Sequence, residues 1–214
     1  MVADASMDRH QALLDLLDAS AERAQTEPVS LGSVLHQLDA SSFGLITLVL
    51  CLPYLQPIPL GPLAGLGGTV LAALGWQMLA GRDEPWLPHR VHELQPSAKV
   101  WSRLARACHW LMRWLRWFSR PRLTRWTEGP RTQRRIGLLV LSGGVLLALP
   151  MPVAPFTNSL PAVSMLCAAV ALLERDGVML LLSLLALLAT GIYFVVVIAA
   201  YIEVGRGALS WLGA

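Results

Sequence analysis

Charge is what this chain of 214 residues has least of: 14% of its residues are charged, against roughly 25% in a typical soluble domain. The charge that exists avoids three long stretches. Residues 43–79, 136–173 and 177–202 contain no Asp, Glu, Lys or Arg. A charge-free apolar run of ~18 residues or more can cross a hydrocarbon core about 30 Å thick, because a helix rises about 1.5 Å per residue. A buried helix in a soluble domain rarely needs that length. With 55% of all residues hydrophobic, the runs predict an integral membrane protein.

Paired cysteines are also missing. Cys51, Cys108 and Cys167 are odd in number and form no CxxC, which excludes a disulfide framework and a zinc knuckle. His89 and His92 have no third ligand nearby and no HExxH occurs, so neither a metal nor a cofactor is expected. The apolar runs hold no nucleophile–base pair and no paired carboxylates, and the expectation is therefore not an enzyme. A secretory signal is not expected either. Residues 1–40 carry seven acids and two arginines, a net charge of −5, where a signal begins basic and turns apolar. Leu13, Leu14, Leu16, Leu17 and Ala21 predict a short amphipathic lead-in helix instead. A second, with Leu31, Val34, Leu35 and Leu38 on one face, would be capped by Ser30.

What the apolar runs lack is concentrated between residues 90 and 135. That segment holds twelve of the seventeen basic residues and only two acids, Glu93 and Glu128, with five of the eight tryptophans. Trp101, Leu104, Cys108, Leu111, Leu115 and Phe118 recur at steps of three and four, one face of a helix that Pro121 ends. An amphipathic helix lying on anionic headgroups accounts for arginines and tryptophans together, with Trp101, Arg103, Arg106, Arg113, Trp114 and Arg120 at the lipid interface. Docking onto a partner protein is the other reading. Nucleic acid is not expected, since a charge-neutralising groove does not fit between two membrane hairpins. An excess of Arg in a short loop marks the cytoplasmic side.

Sliding the chain against itself by 93 residues gives a gapless match of 44–83 with 137–176. Pro57, Pro59 and Pro62 meet Pro150, Pro152 and Pro155, and the pair Arg82–Asp83 meets Arg175–Asp176. Each first arm, from Gly44 to Pro57 or from Gly137 to Pro150, is about 20 Å long as a helix, short of a ~30 Å core. PIPLGP and PMPVAP then remove backbone donors and stop the helix. Two geometries fit. One is a re-entrant hairpin whose irregular tip faces protein or a watery cavity; the other is a pair of slightly short spanning helices joined by a turn.

The fold class is thus all-α integral membrane: two repeated proline-broken hairpins, a C-terminal transmembrane helix and amphipathic interfacial helices. The chain divides into an acidic lead-in (1–40), repeat one (41–89), the basic segment (90–135), repeat two (136–177) and the C-terminal helix with its tail (178–214). Gly65, Gly67 and Gly68 would allow close helix approach, within a chain or in a homodimer.

A P-x-P hairpin (Pro57, Pro59), then GRDEPWLP at 81–88, LPMPVAPFTNSLPA at 149–162 and LLERDG at 172–177 together resemble the ExoD family of exopolysaccharide-synthesis membrane proteins. The likeness runs from about residue 31 to 205. It implies a multi-pass protein of the bacterial inner membrane, associated with exopolysaccharide production and with polysaccharide-synthesis proteins as partners. The family's label names a pathway and implies no reaction. Repeat one has Gly65 where repeat two has Asn158, so a polar role of Asn158 has no symmetric counterpart. The candidate functional residues are the polar set Arg82, Asp83, Glu174, Arg175 and Asp176, and the tip set Pro57, Pro59, Pro62, Pro150, Pro152, Pro155 and Asn158. A transporter or conduit using the paired tips is the leading expectation, with a non-catalytic scaffold docking lipid or protein partners as the alternative.

Overall fold

The computed structural model describes residues 15–16, 18–27, 41–56, 61–82, 84–86, 97–99, 101–102, 105–106, 109, 130–149 and 154–212. Pro57, Pro59, Pro150, Pro152, Asp83, Arg103, Arg113, Trp114 and Arg120 lie outside them. Every regular element among the described residues is helical. Helix α1 spans Ser41–Cys51 and tightens into a 3₁₀ turn at Leu52–Leu55, where Pro53 has no N–H to continue the α-helical ladder. Helix α2 is Pro62–Leu79, α3 Pro130–Ala148, α4 Ser159–Glu174 and α5 Gly177–Leu212. Two helical stretches, Pro62–Leu79 and Gly177–Val204, are long and apolar enough to cross a membrane.

The prolines fall where a helix tolerates them. Pro62 opens α2 and Pro161 sits in the first turn of α4, positions whose N–H has no intrahelical partner to lose. At its other end α2 closes on a Schellman motif: Arg82 N–H donates to the Gln77 carbonyl (3.1 Å) and Gly81 N–H to Met78 (3.1 Å). Gly81 takes the left-handed conformation this requires, at φ 76°.

The pairing of the helices crosses between the hairpins. Helix α2 packs mainly on α3, and α1 mainly on α4. The α2–α3 seam is antiparallel and closes on backbone. A Cβ added at Gly68 would lie 2.7 Å from the Gly144 carbonyl oxygen, and one added at Gly144 would lie 2.8 Å from that of Gly68. Seven residues along, Gly75 and Gly137 make the same reciprocal approach, at 2.7 and 2.8 Å. On the other seam Gly44 lies against Leu173 and the Ala169 carbonyl. The buried centre, with Phe43, Leu48, Leu71, Ile136, Val140 and Met165, lies among these four helices.

Helix α5 leans on α4 through two reciprocal bonds. Ser164 Oγ donates to the Ser183 carbonyl (2.9 Å) and Ser183 Oγ to that of Ser164 (2.8 Å). Its outer side, including Leu182, Leu185, Ile198, Ile202 and Val204, is exposed. The lead-in is helical at 18–23, and Asp18 meets His109 of the basic segment at 2.8 Å, so the acidic and basic segments touch.

Gly68→Ala and Gly75→Ala place a methyl against backbone that cannot yield, so each is expected to lower stability in detergent by about 1–3 kcal/mol. Gly191→Ala, with open space where its Cβ would go, should raise stability slightly or leave it unchanged. Thermal unfolding of the three variants side by side checks this, and equal melting points would show that the seam is not closed on its glycines.

Candidate functional site

The described residues that flank the two hairpin tips meet at one end of the helix bundle. In the first, the chain leaves the 3₁₀ turn in extended form at Gln56 (ψ 143°) and re-enters helix α2 through Gly61 (φ 54°, ψ −128°), a conformation open to glycine. In the second, it passes from Leu149 through Ala154 and a turn at 155–158 into α4. There Phe156 takes φ 62°, left-handed for a bulky side chain and half-exposed at 52%.

Chain outside helices carries carbonyl groups with no ladder to receive them, and these find hydroxyls. Ser159 Oγ donates to the Gln56 carbonyl at 2.9 Å, a bond from the second hairpin to the first. Thr157 Oγ1 donates to Ala154 at 3.1 Å, and the Tyr193 hydroxyl of α5 donates to the Pro155 carbonyl. Tyr54 lies over Gly67 and donates to the Leu63 carbonyl at 3.1 Å. Thr157, Asn158 and Ser159 are all buried. On the described flanks of the tips, hydroxyls thus bond the carbonyls of Gln56, Ala154 and Pro155.

The Arg–Asp sequences lie at the opposite end and build corners. Arg175 is exposed and left-handed (φ 51°) at the end of α4, while Asp176 and Glu174 are buried. Asp176 Oδ1 accepts the Val178 N–H at 2.8 Å and thereby caps α5. Arg82, also exposed, is tied through its backbone: Gln133 Nε2 donates to its carbonyl at 2.6 Å. Gln77 clamps the next stretch, accepting from Trp86 N–H (2.5 Å) and donating to its carbonyl (3.2 Å).

Of the expected site residues, Pro62 opens α2 and Pro155 and Asn158 lie in the turn before α4, while Arg82, Glu174, Arg175 and Asp176 belong to the far end. Trp101 is buried in the core at 1% exposure, so this side chain faces protein where a lipid-interface role was expected, whereas Arg106 is exposed. Tyr54, Thr157, Ser159 and Tyr193 were not singled out from sequence. The available signal was their chemistry: inside a charge-free run, hydroxyls are the donors left to satisfy a proline-broken backbone. Among the described residues no cluster of three His, Cys, Asp or Glu side chains is placed to hold a metal.

Comparison with known proteins gives a consistent family. The family model for ExoD, exopolysaccharide synthesis, matches residues 13–196. Protein ExoD of Rhizobium meliloti is 28% identical over 200 residues, covering 94% of this chain and 83% of the relative. An uncharacterized protein of Synechocystis sp. is 27% identical over 178 residues, covering 83% and 82%. No solved structure matches the chain.

Ser159→Ala and Tyr193→Phe each strand one tip carbonyl and are expected to cost about 1 kcal/mol. Tyr201→Phe, farther along α5, should be silent. At the corner, Asp176→Ala should cost about 1 kcal/mol and Asp176→Asn much less, since Asn also caps. Detergent melting curves distinguish these outcomes.

Proposed function

We propose a function from one premise: the chain belongs to the ExoD family of exopolysaccharide-synthesis proteins. In our reading it is a non-catalytic, multi-pass protein of the bacterial inner membrane that acts as a scaffold for polysaccharide synthesis. Two repeated hairpins enter from the cytoplasmic side, tips deep in the bilayer, and the basic segment docks headgroups or partner proteins on that side. The observation that carries the scaffold is the bonding between the described flanks of the tips. Hydroxyls of Ser159, Thr157 and Tyr193 occupy the tip carbonyls, and glycine contacts bring the α2 and α3 backbones together below them. A bundle tied together in this way supports a role in presenting surfaces rather than opening a passage.

Two further observations support the membrane geometry. The contacts of Gly137 with Leu79 and Gly75 mirror those of Gly44 with Leu173 and Ala169 at nearly the 93-residue offset, as parallel repeats require. Tyr193 reaches the tips about 24 Å along α5, and the charge-free run continues to Ile202, about 13 Å farther. An apolar helix running on past the tips favours tips that stop short of the far headgroups.

One observation favours the conduit. Phe156 holds a left-handed conformation beside buried Asn158, and a strained residue at a polar tip is how an opening motion stores energy. A single cysteine separates the readings, in a background lacking Cys51, Cys108 and Cys167. Under the scaffold, a cysteine replacing Asn158 stays unreactive to a water-soluble maleimide from either side, while one at Arg131 reacts from the cytoplasmic side. Labelling at Asn158 would favour the conduit. In the same strain, Pro150→Ala with Pro152→Ala should retain membrane insertion and abolish exopolysaccharide production.

A further inference from the structure

Helices α3 and α5 run side by side in the same direction but part from each other, since α5 leans on α4 instead. The gap is a lateral cleft. Its inner part, about 790 Å³, is walled by residues that include Leu141, Val145, Leu188, Gly191 and Val195. Nearer the start of both helices a second space of about 280 Å³ is lined by Leu138, Leu139, Leu180, Leu181 and Leu184, with Arg135 as its one charged wall.

Three features of this cleft point to one kind of occupant. It is apolar along its length and charged only at one end. Measured along α5 from Leu180 to Val196 it runs about 24 Å, more than the ~15 Å depth of one leaflet's hydrocarbon. Gly191 faces open space, so no contact explains why a helix should accept glycine there, and a side chain at that position would fill the cleft.

The charged end is out of balance. Arg131, Arg134 and Arg135 are exposed on the first turns of α3, and its first turn contains no acid. A helix N-terminus already carries partial positive charge, so cations there are unfavourable until an anion joins them. Among the described residues none of these three arginines is in an ion pair.

We propose that the cleft between α3 and α5 binds an anionic phospholipid, its phosphate on Arg135 with Arg131, one turn earlier on the same face, beside it and one acyl chain laid along the leucine wall to Gly191. The inference rests on the membrane reading of the chain and is independent of the choice between scaffold and conduit. Binding here would join α5 to α3 through lipid where their protein contact is thin.

The test uses the full-length protein in phosphatidylcholine nanodiscs doped with phosphatidylglycerol carrying a photoreactive acyl chain. Labelling should concentrate on 141–146 and 187–196. Arg135→Gln should lower it about fivefold, the loss of one arginine–headgroup contact of about 1 kcal/mol. Gly191→Leu should displace label from the inner cleft while circular dichroism and melting stay unchanged. An equivalent photoreactive phosphatidylcholine labelling the cleft equally well would overturn the proposal, as would label spread evenly over Leu182, Leu185 and Ile198, which marks ordinary boundary lipid. Crosslinks between two copies of the chain through the cleft would overturn it too. Insertion of the protein in the membrane, checked by carbonate extraction, separates failure of this site from failure of the membrane reading.

Discussion

A carbonyl group freed from a helix by proline must find a donor, and where water is excluded the donor has to be protein. That requirement organises the tip end of this fold. Gln56 is satisfied by Ser159 across the hairpins, and Pro155 by Tyr193 from a third element. Each bond spans a long stretch of sequence, so satisfying the backbone also fixes how the hairpins and α5 stand relative to one another. The tips are joints as well as turns.

Cohesion elsewhere fits the membrane reading proposed above. Between apolar helices in lipid there is little hydrophobic gain in association, and close packing and interhelical hydrogen bonds take over. The chain uses one device on each seam. Gly68 with Gly144 and Gly75 with Gly137 let α2 and α3 touch along their backbones, and the Ser164–Ser183 pair stitches α4 to α5. Where neither device is present, between α3 and α5, the helices part.

The elements themselves were legible in the sequence because charge marks their limits. The charge-free runs 43–79 and 136–173 close on helices at Pro62–Leu79 and Ser159–Glu174 that end beside the Arg–Asp sequences. Partners were not legible. A helix apolar on every side has no periodic face, so nothing in α5 indicates which stripe packs and which is exposed. Gly68 was noted for close approach, but Gly75, Gly137 and Gly144 acquire meaning only once α2 and α3 are side by side. Trp101 misled for a related reason: an arginine- and tryptophan-rich helix reads alike whether its apolar face meets lipid or protein. Helix α5 also outruns its charge-free stretch, because Glu203 and Arg206, 3.6 Å apart one turn along, extend a helix as readily as they end a membrane run.

The exchange of partners between hairpins has a consequence for how the chain is made. A hairpin whose arms packed on each other could be finished as soon as it left the ribosome. Here α2 must wait for α3 and α1 for α4, whose sequences follow only after the basic segment. At about 5–20 residues per second, a stretch of that length takes on the order of 2–9 s to synthesise. Throughout that interval the glycine-lined side of α2 has no protein against it. The first half of the molecule is therefore a nascent intermediate that needs shelter, and its assembly is timed by the length of the segment between the halves.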